Sequence, residues 1–146
     1  MELVTEYLVI VEKSASEAFY HLCDSINGFN KLLQTNPNIV IEPGRVKFKA
    51  SLEFPYEVKI GNVEGKEQRF FQVKITFNGE ENNIDEYSEM LKSLRGIVHK
   101  AGGQPETLKD DVSFYFANKS YPLIHKVESL MRKLITYFML TNVGKE

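Results

Sequence analysis

The sequence predicts an α+β fold: a mainly antiparallel sheet with two helices on one face, followed by a long C-terminal amphipathic helix. Three observations carry this expectation. Runs such as Arg69–Phe77 (RFFQVKITF) alternate apolar and polar residues with the period of a half-buried strand. Two stretches, one opening near Ser14 and one after Asn83, repeat apolar residues at helical spacing and divide the strands into groups. Ser120–Thr141 is the longest uninterrupted helical pattern in the chain.

Taken in order, Tyr7–Val11 (YLVIV) is a short apolar, β-branched run, the pattern of a buried strand. Ser14-Ala15-Ser16-Glu17 reads as a capping box. The helix it opens carries Ala15, Ala18, Phe19, Leu22, Cys23 and Ile26 on one face and closes at Gly28. Residues 29–38 form a polar connection ending in the turn Asn36-Pro37-Asn38. Ile39–Ile41 is a short strand, and Pro43-Gly44 turns the chain into a strand over 45–54 with Val46, Phe48, Ala50, Leu52 and Phe54 inward. Pro55 interrupts it, and Tyr56–Ile60 resumes the alternation.

After the turn residues Gly61-Asn62 and Glu64-Gly65, the strand at 69–77 turns Phe71, Val73, Ile75 and Phe77 inward until Asn78-Gly79 stops it. Asn82-Asn83 caps a second helix with Ile84, Tyr87, Leu91, Leu94 and Val98 on one stripe, ended by Gly102-Gly103. Lys109-Asp110-Asp111 is solvated loop, and Val112–Phe116 (VSFYF) is a last strand. This order, with strand-helix and helix-strand ends around hairpins, suggests a ferredoxin-like sandwich or a variant of it over residues 1–118. Residues 119–146 add the long helix. Pro122 suits its first turn, and at about 1.5 Å per residue it reaches roughly 30 Å.

Composition narrows the function classes. Hydrophobic content of 42% and charged content of 26% are ordinary for a folded water-soluble domain. A net charge of −2 argues against a general nucleic-acid coat. The charge is uneven: residues 119–146 hold five Lys/Arg against two Asp/Glu, leaving 13 against 18 in residues 1–118. The C-terminal helix is therefore the better surface for a phosphate backbone. One cysteine, Cys23, permits no internal disulfide and no cysteine-based metal site, and fits a reducing cytosol. No secretory signal and no run of 18 apolar residues is present, so a cytoplasmic protein without a membrane partner is expected.

Chemistry-bearing constellations are thin. Cys23 lies on an apolar stripe without a histidine at activating spacing, which suits core packing. His21, His99 and His125 fall on three separate helices, too scattered for zinc ligation, and no cofactor is expected. Arg95 and His99, four apart on one helix, can share a face and bind phosphate, or simply form its polar side. Glu57-Val58-Lys59 has the Glu-x-Lys spacing of metal-dependent nucleases but lacks an obvious acidic neighbour. Phe70 and Tyr115 can stack bases if Phe71, Phe114 and Phe116 face the core; packing explains the same rings. No catalytic residue is assigned.

The stretch beginning at Tyr121, YPLIHKVESLMRKLI, with Phe138-Met139 and then Gly144, resembles the opening helix of certain HEPN domains. The shared features are the Tyr-Pro start, Glu128 and Arg132 four apart, the apolar residues around them and a glycine at the end. These domains are all-α modules of prokaryotic RNases, many of them toxins or antiphage proteins. The resemblance covers residues 121–144 only. It implies metal-independent RNA cleavage by an Arg-x(4–6)-His motif on a later helix at a dimer interface. None of Arg45, Arg69, Arg95 and Arg132 is followed by a histidine at that spacing.

The expectation is thus a non-catalytic sensing, binding or regulatory module, attached to the first helix of a HEPN-type RNase toxin whose catalytic motif lies beyond residue 146. RNA, through that further domain, and an antitoxin protein would be its partners. The alternative is a self-contained binding or assembly protein that homodimerises through the C-terminal helix. In either case Glu128, Leu130, Arg132, Lys133 and Leu134 are the interface or RNA-proximal residues.

Overall fold

A computed structural model describes residues 1–143, and the chain divides into two units, Met1–Val112 and Ser113–Glu146. The first unit is built on a six-stranded sheet. Its strands are β1 (Glu2–Glu12), β2 (Ile39–Glu42), β3 (Arg45–Phe48), β4 (Leu52–Asn62), β5 (Gln68–Asn78) and β6 (Gln104–Asp110), arranged β2-β3-β4-β5-β1-β6. Every pairing is antiparallel. The helices of this unit are α1 (Glu17–Leu22), α2 (Ile26–Leu33) and α3 (Ile84–Lys100), the last preceded by a 3₁₀ turn at Glu81–Asn83.

The first strand organises the sheet. It pairs with β5 from Glu2↔Asn78 to Glu12↔Gln68 and with β6 along its other side. Alternation then sends Leu3, Thr5, Tyr7, Val9 and Val11 to one face. All five are buried. On β5 the same face carries Phe71, Val73, Ile75 and Phe77, as the sequence alternation predicts. Phe29 of α2 stacks on Phe71 at 4.5 Å, with the rings 10° apart. Tyr87 of α3 packs between Phe54 and Phe77 at 4.9 and 5.1 Å. Its hydroxyl is hydrogen-bonded to Thr5 Oγ1 (3.0 Å) and to the carbonyl oxygen of Ile75 (3.1 Å).

Local structure departs from the sequence expectation at several places. The helix opened by the serines starts two residues later than the capping box Ser14–Glu17 implies, with Ser16 Oγ accepting from the Phe19 N–H (3.3 Å), and stops at Cys23. Residues 26–33, expected as helix end and polar loop, form α2. Ser25 Oγ accepts from the Gly28 N–H (3.2 Å), and Phe29, Leu32 and Leu33 are buried. Gly28 does not close a helix. It permits a close approach, because a Cβ there would sit 2.4 Å from the Leu22 carbonyl oxygen.

The alternating stretch 45–54 is two strands. The chain reverses through Lys49 (φ 53°) and Ala50 (φ 61°), so that Phe48 pairs with Leu52 and Ala50 is exposed. The alternation continues in phase on either side of the turn, which hides the reversal from periodicity alone. Pro55 does not interrupt β4. The ladder to β5 begins only at Tyr56, and the Tyr56 N–H donates to the Gly44 carbonyl on the other side, so Pro55 forfeits no ladder bond.

Lys109-Asp110-Asp111, expected as loop, instead end strand β6 (Gln104–Asp110) and begin a helix, and the expected strand at 112–116 lies in that helix. The final helix, α4, runs from Asp111 to Val143. Asp111 Oδ2 accepts from the Val4 N–H (2.8 Å), tying the helix start to β1. Pro122 therefore lies inside the helix, not in its first turn, and leaves the Asn118 carbonyl without its i+4 donor. Gly144, expected to end this helix, lies outside the described residues.

Two stability outcomes follow. Tyr87→Phe strands the buried Thr5 hydroxyl and should cost about 1–2 kcal/mol in equilibrium denaturation, with the fold retained. An unchanged midpoint would mean that this bond contributes nothing. Ala50→Gly removes a side chain from a left-handed position and should raise stability by about 0.5–1 kcal/mol in the same assay.

Candidate interaction surface

Among the described residues no group of three or more His, Cys, Asp or Glu is placed to hold a metal ion. The sequence candidates for chemistry stay apart. His21 sits 3.5 Å from Glu17 one helical turn away, and His125 stacks beside Tyr121 at 6.5 Å. Arg95 and His99 are both exposed on α3, with the Arg95 guanidinium 6.0 Å from the Tyr7 ring and His99 in the last turn. Glu57 and Lys59 lie on β4 3.8 Å apart. Across the sheet the neighbour of Glu57 is Lys74, and only beyond it comes Glu6, so the carboxylates are separated by a cation rather than converged.

Cys23 is fully buried, and burial pushes its thiol up to about 11, with the Arg69 guanidinium partly opposing this. Arg69 fixes the site as structure. It donates to the carbonyls of Tyr20 (2.8 Å) and Cys23 (2.6 Å), closing the C-terminal end of α1, and its guanidinium lies 4.3 Å from the Tyr20 ring. Tyr7, also buried, is raised to about 12 by the loss of hydration. These shifts mark packing rather than acid–base poise.

The surfaces that stand out are apolar. Along α4, Leu123 is 66% exposed, Leu130 55% and Leu134 68%. Ile124, Val127, Met131, Ile135 and Phe138 are exposed too. At 100° per residue these eight cover roughly 140° of the helix surface. Soluble chains rarely leave so continuous a stripe uncovered. Glu128 and Arg132 lie off the stripe, paired at 2.7 Å and both largely solvated, which gives them a local role worth a few tenths of a kcal/mol, roughly 0.3–0.5. Lys133 is exposed beside them. Of the five residues singled out from the sequence, Leu130 and Leu134 belong to the stripe, and the three charged ones lie outside it. No helix among the described residues is long and apolar enough to cross a membrane.

A second apolar surface lies on the sheet face opposite Tyr7, Val9 and Val11. Register puts Gly61, Phe70 and Ile10 in one row across β4, β5 and β1, with Leu8 in the next row. The Phe70 ring covers Gly61, where a Cβ would come within 2.1 Å of it, so glycine there makes room for the ring. Leu8, Ile10, Val63 and Phe70 border one shallow depression. Sequence reasoning considered Phe70 for base stacking and passed over the others. The signal was present: YLVIV is apolar at both odd and even positions, the pattern of a strand with both faces covered. Tyr115 does not share this surface by strand pairing; it belongs to α4, with Lys119 Nζ 5.2 Å from its ring.

No family model, no curated protein and no solved structure matches this chain. The surfaces themselves therefore carry the functional argument.

The buried thiol has a direct readout. Cys23 should resist thiol reagents at pH 8 in the folded protein and react fully once denatured. Because its folded pKa is raised, the contribution to stability should be intact below about pH 9 and decline as pH rises toward 11. Rapid native labelling would contradict this burial.

Proposed function

We propose that this chain is a non-catalytic binding and assembly module that acts by pairing with a second copy through α4. The observation that carries the reading is the exposure of the α4 stripe, in which Leu123, Leu130 and Leu134 each keep more than half of their surface accessible. Fully burying one such side chain contributes about 1.5–3 kcal/mol, so a partner covering several of them is held firmly. The first unit serves as the platform, a variant of the ferredoxin-like sandwich in which α1–α2 and α3 cover one face. No group in it is arranged as nucleophile, base and orienting partner.

A second reading is favoured by the breadth of the stripe, which exceeds the narrow seam of a two-stranded coiled coil and suits a bundle. Here α4 is the first helix of a HEPN-type RNase domain. The platform senses or regulates, and an Arg-x(4–6)-His motif beyond these residues cleaves RNA in a toxin of antiphage defence. An antitoxin protein would then compete for the same stripe. Location in the cytoplasm accords with both readings.

Leu130→Glu and Leu134→Glu separate interface from core. Both should fold with stability within about 0.5 kcal/mol of the parent, since neither side chain is buried. Both should shift the mass measured by sedimentation equilibrium from dimer to monomer. A parent protein that is monomeric at every concentration would end the assembly reading; unfolding of both variants would show the stripe to be core.

A further inference from the structure

We propose that the surface receiving α4 is the outer face of the sheet in a second copy, so that two chains exchange their terminal helices reciprocally. This rests on the assembly reading and names the site at which assembly occurs. Three observations converge on it.

The outer face is built to be covered. Leu8 and Ile10 stand on the opposite side of β1 from the core residues Tyr7 and Val9, yet they are as apolar as a second core layer. The outer end of the Phe70 ring sits over Gly61 beside them. The outer face thus carries an apolar island within a charged surround, and α1–α3, which pack on the other face, leave it open to a covering element.

Charge selects the partner. The register places Glu6, Glu57 and Glu106 on this face with Lys59, Lys74 and Lys109, and alternation along β1 adds Glu2 and Glu12, leaving carboxylates in excess. Residues 113–143 of α4 carry Lys119, Lys126, Arg132 and Lys133 against Glu128 alone. Lys126 and Lys133, seven residues apart, form one row along the flank of the apolar stripe. Two α4 helices paired with each other would bring like charges together. A basic, apolar helix laid on an acidic-rimmed, apolar sheet face satisfies both surfaces.

Symmetry supplies the area. In a two-fold exchange the helix-on-sheet contact is made twice. Each of the two contacts then needs to bury only about half of the roughly 1,600 Å² that a standard interface buries.

The test uses the full chain with Leu8→Glu and Phe70→Glu on the sheet and Leu130→Glu on the helix, each checked for folding by circular dichroism and a thermal midpoint. Leu8→Glu keeps the experiment decisive should Phe70→Glu fail to fold over Gly61. The expected result is that sheet and helix variants alike raise the dimer dissociation constant by about a hundredfold or more. An equimolar mixture of Leu8→Glu and Leu130→Glu should then associate more tightly than either variant alone, because one of its two contacts joins an intact helix to an intact sheet, whereas in each variant by itself both contacts carry a substitution. Sheet variants that stay dimeric while Leu130→Glu dissociates overturn the exchange and leave helix-to-helix assembly standing. A mixture that associates no more tightly than either variant alone also overturns it. A monomeric parent, as when α4 lies on its own sheet, overturns both this inference and the assembly reading.

Discussion

The pairing of β1 with β5 is the constraint on which the rest depends. These strands are joined residue by residue from Glu2↔Asn78 to Glu12↔Gln68, and β1 pairs with β6 along its other edge. The N-terminal strand is thereby interior, with partners contributed from far along the chain. Because side chains alternate, this one register commits Thr5, Tyr7, Val9 and Val11 to the helical layer and Glu6, Leu8 and Ile10 to the opposite face. A slip of one residue would place Thr5, the group that meets Tyr87, on the outside and break the buried hydrogen-bonded triplet with Ile75.

Polar groups secure the layer that hydrophobic burial assembles. Arg69 leaves the end of β5 to occupy the carbonyls that terminate α1, so the same residue belongs to the sheet and closes a helix. Tyr56 reaches Asn30 Oδ1 (2.7 Å) on α2, and the Ile41 N–H of the short strand β2 donates to Gln34 Oε1 (3.2 Å) just beyond it. Each joins a strand to the helical segment 26–34, whose apolar residues Phe29, Leu32 and Leu33 fill the space above the sheet. These bonds contribute modestly one by one, about 1 kcal/mol each, but they leave little freedom in how α2 is seated.

The molecule's functional character lies in what it leaves uncovered. The stripe of α4 and the Leu8–Ile10–Phe70 island are both apolar, and each is bordered by charge of the opposite sign to the other. The two surfaces are thus complementary in both apolar character and charge.

Period and composition report local geometry directly, so the α+β class, the inward residues of β5, the buried stripe of α3 and the existence of a long C-terminal helix are legible in the residues alone. The sequence also marked Leu130 and Leu134 as residues of that helix's apolar side. It misread the Lys49–Ala50 reversal, since alternation keeps its phase through a tight turn. It missed α2, whose three buried residues are too few to stand out among Asn and Gln. It read VSFYF as strand because aromatic and β-branched content outweighed context, although Asp111 bound to the Val4 N–H starts a helix there. Strand order follows from pairings between distant segments and is visible only once the chain is folded. The same pairings gather Leu8, Ile10 and Phe70 into one surface, which no local window of sequence contains.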